Sequence, residues 1–215
     1  MYQKTERSQW SGRVDSTNSQ TQRFHQIIKF LDLSDSIKSS SSNTPISLLG
    51  FACDEGVHRN SGRPGAAKGP EFFRKALANL ACHKKFALYD AGDVLCPDSN
   101  LELAQEVLGE KIYQLLEAKY FPLVIGGGHE VSWGHFRGLE KFLRNKKDKK
   151  IGVLNIDAHF DLRPYPEGPH SGSGFLQIAD YQRLQGQSFH YMAVGIKEAS
   201  NTKALFETAQ NLDAK

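Results

Sequence analysis

The sequence predicts an α/β domain with a mostly parallel sheet covered by helices on both faces. Three observations lead there. Short apolar runs alternate with amphipathic stretches along residues 45–215. Two of those runs break off abruptly, one into glycines and one into acidic residues and histidine, at Gly126-Gly127-Gly128-His129-Glu130 and Asp157-Ala158-His159-Phe160-Asp161. The chain has 215 residues, 39% of them hydrophobic, which is enough for one substantial core.

Taken in order, residues 1–23 are polar and irregular apart from Trp10. Phe24, Ile27, Ile28 and Leu31 follow the i, i+3, i+4, i+7 spacing of an amphipathic helix. Ser39 to Ser42, then Asn43-Thr44-Pro45, read as a polar linker. Residues 1–44 are thus an N-terminal arm and linker, either folded against the main body or partly disordered, and residues 45–215 the α/β domain.

Ile46 to Cys53 reads as a buried strand. The segment after it, DEGVHRNSGRPGAAKGP, is long and glycine-rich for a simple connector, as functional loops often are. Pro70 suits the first turn of a helix that offers Phe72, Phe73, Ala76, Leu77 and Leu80 to the core. Phe86 to Asp93 reads as a strand and its exit. Ser99 with Glu102 has the form of a capping box ahead of the stripe Leu101, Ala104, Leu108, Ile112, Leu115 and Leu116. A strand at Phe121–Ile125, a helix at Val131–Leu143, a strand at Ile151–Ile156, a helix at Gly174–Leu184, a strand at Phe189–Val194 and a helix at Thr202–Leu212 complete the alternation.

Composition narrows the class. The formal net charge is only +3, and the run Lys146-Lys147-Asp148-Lys149-Lys150 is short and interrupted, so it reads as a solvated turn rather than a nucleic-acid patch. No apolar stretch is long enough to span a bilayer, and the polar start MYQKTERSQW lacks the apolar core of a secretory signal. Cys53, Cys82 and Cys96 are odd in number, lie far apart and form no CxxC. That argues against a disulfide framework or structural zinc and for a reducing, cytoplasmic setting.

Ligands of parallel sheets bind beyond the carboxyl ends of the strands, and GGGHE and DAHFD both sit there. In extended backbone Asp157, His159 and Asp161 point roughly one way. Three such groups converging after a buried strand are costly unless something binds them. GGGHE alone is a weak signal, neither GxGxxG nor a Walker loop. Together with DAHFD it supplies two imidazoles and two carboxylates and no thiolate, a set that suits Mn, Fe, Co, Ni or Zn. Paired ions held this way generate a nucleophile from water, so the reaction class implied is metal-assisted hydrolysis of an electrophilic carbon.

GGGHE paired with NIDAHFDLRP resembles the arginase (ureohydrolase) family of binuclear manganese enzymes. The similarity runs from WSGRVD at residues 10–15, through GFACDEGVHRNSGRPGAAKGP, to SGSGFLQI at residues 171–178. GGGHE in place of the more usual GGDHS points to the formimidoylglutamase branch, which hydrolyses N-formimidoyl-L-glutamate to L-glutamate and formamide in histidine breakdown. The resemblance implies a three-layer α/β/α fold and homo-oligomers. It implies that His129, Asp157 and Asp161 hold one Mn2+, and that Asp157, as a bridge, and His159 hold the other. Arg163 falls in a segment that contributes to substrate binding in relatives, and Asn60 and Arg63 lie on the glycine-rich loop that could border the same mouth. Arginine suits an anionic amino-acid derivative, because it holds a carboxylate by two parallel hydrogen bonds. Phe175 occupies roughly the place of a proton-relaying histidine in arginases; His170 is close by.

One departure is plain. The family carries a second aspartate pair on a later strand, and no D-x-D occurs after Asp161. The expectation is a C-terminally incomplete site with weaker metal binding, little activity from these 215 residues, and an apolar sheet edge left exposed. Two alternatives stand beside the formimidoylglutamate reading: a ureohydrolase acting on a guanidino substrate such as agmatine, and a non-catalytic truncated product.

Overall fold

The computed structural model describes residues 1–40, 44–84, 86–146 and 149–215. Ser41–Asn43 of the expected linker and Lys147-Asp148 of the basic run lie outside the described residues.

The arm joins the body. Strand β1 (Tyr2–Gln3) pairs antiparallel with the strand at residues 88–95, and Trp10 is buried. The helix expected over residues 24–31 is a single turn, α1 (Phe24–Ile27). Ile28 turns extended, and β2 (Lys29–Phe30) takes parallel ladder bonds from the strand at 88–95 instead. Sheet pairing thus overrides the periodicity, although Ile28 still enters the core.

Strand β3 (Ile46–Ala52) is the centre of the main sheet. The glycine-rich segment after it contains the short helix α2 (Glu55–Arg59), which periodicity does not foretell in so few residues. Helix α3 (Gly69–Ala78) carries Pro70 in its first turn, as expected. Its inward face differs from the expected one: Phe73, Leu77 and Ala78 pack inward, whereas Phe72 and Leu80 are 60% and 58% exposed and Ala76 is exposed. The reason is Arg74. It is buried, bonds both carboxylate oxygens of buried Asp90 at 2.7 and 3.0 Å, and reaches Asp93 at 2.9 Å. Turning Arg74 inward carries Phe72 and Ala76 outward.

Strand β4 (Leu88–Leu95) begins two residues later than expected and runs parallel to β3, with a bulge between Leu48 and Gly50. Helix α4 (Leu101–Glu117) buries Leu101, Ala104, Leu108, Ile112 and Leu115 completely. Its cap is Asn100, whose Oδ1 accepts from Leu103 N–H at 3.1 Å, not Ser99. Ser99 sits at φ 55°, and Glu102 turns to Arg59 at 2.7 Å, so neither half of the expected capping box forms.

Strand β5 (Phe121–Ile125), parallel to β3, and helix α5 (Val131–Leu143) fall where the sequence places them. The same holds for β6 (Gly152–Ile156), α6 (Gly174–Leu184), β7 (His190–Val194) and α7 (Lys203–Asn211) to within a residue or two. Leu49 and Phe51 of β3 pack with α4 on one face of the main sheet, and Leu48 packs with Trp10 and α3 on the other. The alternation of β3 side chains thus gives helices on both faces.

Among the described residues the sheet comes in two pieces, β1-β4-β3-β5 with β2 on β4, and a parallel pair β6-β7. One face of that pair carries Val153, Tyr191 and Ala193 into a core with Phe136, Phe175, Ile178 and Leu205. The other leaves Leu154 and Ile156 61% and 78% exposed, with Met192 and Val194 beside them. Phe121 and Leu123 on β5 are exposed too.

Candidate metal centre

The turn after β5 brings His129 to the strand ends. Gly127 is needed there, because a β-carbon would fall 1.7 Å from the Cys53 carbonyl oxygen. The turn closes when Gly128 N–H donates to that oxygen at 3.0 Å.

The turn after β6 brings the carboxylates. Asp157 N–H donates to the Val194 carbonyl at 3.0 Å, continuing the ladder. The chain then folds back: His159 N–H donates to Asp157 Oδ1 at 3.0 Å, and Asp161 adopts φ 48°. A left-handed aspartate is uncommon, and this one holds its carboxylate toward His129. The His129 Nδ1 lies 2.5 Å from Asp161 Oδ2 and 3.4 Å from Asp157 Oδ2. One ligand atom from each of the three residues lies within 4.8 Å of the others. Burial disfavours the charged form of His129, but the Asp161 hydrogen bond and the Asp161 and Asp157 charges outweigh it and raise its pKa.

His159 stands slightly apart. Its Nδ1 is 3.2 Å from Asp157 Oδ1, on the other oxygen from the one facing His129, and its side chain is half exposed. Asp157 thus lies between the two imidazoles. An open depression of about 530 Å3 adjoins the cluster, lined by Gly127, Gly128, His129, Leu154 and Asp157 among others.

Three residues that the sequence reading passed over hold the second turn. Asn155 Nδ2 donates to the His159 carbonyl and to the Tyr191 hydroxyl, both at 3.0 Å, and Tyr191 donates to the Phe160 carbonyl at 2.8 Å. Asn201 bonds the Ala158 carbonyl and the Phe160 N–H, at 2.8 and 3.1 Å. Burial pushes the Tyr191 phenol well above its ordinary value, so it stays a donor. Asn155 had a sequence signal, as the one amide in an apolar strand; Tyr191 and Asn201 had none.

Of the three candidate substrate residues, two converge. Asn60 caps α2 and bonds Ser171 Oγ at 3.1 Å, Arg163 N–H donates to the Gly172 carbonyl at 2.9 Å, and the side chains of both close on Gly172. Arg63 is exposed and makes no hydrogen bond or ion pair among the described residues. His170 bonds within its own loop, to the Pro164 carbonyl and Gly172 N–H, and is outside the cluster. Phe175 packs edge-on against the His129 ring at 5.3 Å, and so buries one side of it.

The arginase family model matches residues 44–215. Formimidoylglutamases of Chromobacterium violaceum and Geobacillus kaustophilus are 48% and 44% identical over 95% and 98% of the chain. The chain spans 63% and 64% of the length of those two relatives. A Trypanosoma cruzi formiminoglutamase solved with Mn2+ superposes at a TM-score of 0.68, with 31% identity, over 82% of this chain and 61% of that one. Formimidoylglutamase of Bacillus subtilis superposes at 0.72 over 94% of this chain and 61% of that one, at an 18% identity that speaks for the fold alone.

Proposed function

The chain belongs to the arginase family, with the three-layer α/β/α fold, and from that premise we propose that the protein hydrolyses N-formimidoyl-L-glutamate to L-glutamate and formamide at a dinuclear manganese centre. The observation that carries the reading is the meeting of His129, Asp157 and Asp161 at two strand ends, in a chain 48% identical to a formimidoylglutamase.

The donor set fits the metal. One imidazole nitrogen and two carboxylate oxygens, within 4.8 Å of one another, suit a borderline-hard divalent ion. Mn2+ would lie between His129, Asp157 and Asp161, and a second ion would use Asp157 and His159. When bound, such ions supply Lewis acidity and lower the pKa of water.

The chain's own residues then position the substrate. Arg163 and Asn60 flank Gly172 next to the metal-bearing turn, and their donors suit the carboxylates of a glutamate derivative. That favours an anionic amino-acid substrate over a cationic guanidine. Phe175 excludes water from one side of His129. We place the enzyme in the cytoplasm, and its three free cysteines support that setting. No described helix is long and apolar enough to cross a membrane. We further propose a homo-oligomer, which the family resemblance implies.

Glutamate release from formimidoylglutamate with added Mn2+, set against urea release from agmatine, tests the reading. Turnover of formimidoylglutamate alone supports it, and turnover of agmatine alone overturns it.

A further inference from the structure

Glu130, the last residue of GGGHE, is fully buried next to a proposed ligand that it does not itself join. Its Oε1 accepts the Gly56 N–H at 3.1 Å, and its main-chain carbonyl accepts Gln105 Nε2 at 2.7 Å. The carboxyl sits in a slot cut for it. A β-carbon on Gly56 would stand 2.6 Å from its Cδ, and one on Gly128 would stand 2.0 Å from its Oε2.

The slot matters because of what else Gly56 holds. Its carbonyl accepts the Asn60 N–H at 3.1 Å and the Ser171 N–H at 2.9 Å, and the Ser171 hydroxyl in turn accepts from the Asn60 side chain. A single residue, Gly56, therefore ties the turn after β5, helix α2 and the segment that follows the metal-bearing turn of β6. The first N–H groups of a helix need an acceptor from outside it. Asp54, the residue placed to cap α2, makes no such bond; its carboxylate holds Gly65 and Ala67 N–H instead, at 2.6 and 3.4 Å. Glu130 supplies the missing acceptor from across the site.

We propose that Glu130 is a positioning residue: it locks α2 onto the turn after β5, which carries His129, and so sets Asn60 and its neighbour Arg163 at the distance that the substrate requires. This rests on the assignment of Asn60 and Arg163 to the substrate. It gives the glutamate of GGGHE a task separate from metal binding.

The test compares Glu130→Ala and Glu130→Gln in the intact protein, by amide exchange, Mn2+ content and steady-state kinetics. Glu130→Ala should speed exchange at residues 54–60 about tenfold, and raise KM for formimidoylglutamate about tenfold with kcat and Mn2+ content little changed. Glu130→Gln keeps an acceptor oxygen and should restore both protection and KM. Unchanged exchange in Glu130→Ala, loss of Mn2+ without faster exchange, or a Gln variant no better than Ala would each overturn the proposal. If Glu130→Ala does not fold, Gly56→Ala, which drives a β-carbon into the carboxyl, must give the same pattern; wild-type exchange and KM there overturn it. The exchange measurement needs no substrate, so a wild-type protein that ignores formimidoylglutamate leaves it readable.

Discussion

His129 Nδ1 stands 2.5 Å from Asp161 Oδ2, joining the ends of β5 and β6, two strands that share no hydrogen bonds among the described residues. The two pieces of sheet thus meet at the proposed metal centre. A bound ion would cross-link them, so ligand binding and stability are coupled there. Mn2+ at about a hundred times its dissociation constant should stabilise the fold by about 2.7 kcal/mol. Asp157→Ala removes the carboxylate between His129 and His159 and should abolish that gain. His170→Ala, outside the cluster, should keep it. Thermal unfolding with and without Mn2+ decides; a full shift in Asp157→Ala means that the site lies elsewhere.

The second turn depends on Asn155 and Tyr191, which bond the His159 and Phe160 carbonyls. Groups that orient ligands from behind are commonly worth about ten- to a hundredfold in metal affinity. Tyr191→Phe keeps the ring packed against Phe175 and removes only the hydroxyl. It should weaken Mn2+ binding by about tenfold and cost about 1 kcal/mol of stability. Metal titration and denaturant unfolding of the same variant measure both; unchanged affinity would show that the turn is held without the hydroxyl.

Much of this was legible in the sequence. The strands and helices from Ile46 onward follow from apolar runs and stripes, because burial in a parallel sheet demands them. DAHFD and GGGHE named the four metal candidates, since acids and histidines rarely gather past a buried strand without a task. What stayed hidden rests on partners distant in sequence. The pull of Asp90 on Arg74 rotates α3, the pairing of β2 with β4 cuts α1 short, and Glu102 leaves its expected cap for Arg59. Asn201 meets Phe160 across 41 residues, and no local pattern announces it.

Arg74 and Asp90 are both buried, and Trp10 Nε1 and Thr5 Oγ1 also donate to the same carboxylate, each at 2.7 Å. Removing one partner strands the other in a dry site, which typically costs about 3–5 kcal/mol. Arg74→Ala should therefore destabilise by about that amount and free the N-terminal arm, while Trp10→Phe, which leaves the ion pair intact, should cost less. Chemical denaturation ranks the two; equal losses would mean that packing rather than charge dominates.

Glu140 should contribute to the loss of stability in acid. Burial would raise its pKa, but the Arg144 hydrogen bonds at 3.1 and 2.8 Å, with the Arg144 and Arg137 charges, hold it below its ordinary 4.5. A depressed carboxylate stabilises above its unfolded pKa, and the gain fades as pH falls through the folded value. Wild type should exceed Glu140→Gln in stability at neutral pH, and the gap should close below the ordinary value of 4.5. Denaturant midpoints across that range check the sign; a gap independent of pH would trace to packing.

The apolar face of β6-β7 and the charge of the site point to the same experiment. Leu154, Ile156, Met192 and Val194 line one exposed face, directly beside the depression at His129. Two divalent ions bring about four positive charges, and Asp157 and Asp161 offset about two, so the ion on His159 should be the weaker of the pair. Residues 1–215 correspond to about 63% of the Chromobacterium violaceum relative. Joining the remainder of that relative in frame after Lys215 should therefore cover the face, raise the metal content toward two ions per chain and raise turnover. Each additional ~1.4 kcal/mol of transition-state stabilisation is tenfold in rate, so the gain should be large. Bound Mn2+, glutamate release and binding of a hydrophobic dye, measured for residues 1–215 and for the extended chain, form the test. Two ions and full turnover from residues 1–215 alone would mean that other side chains of this stretch complete the site.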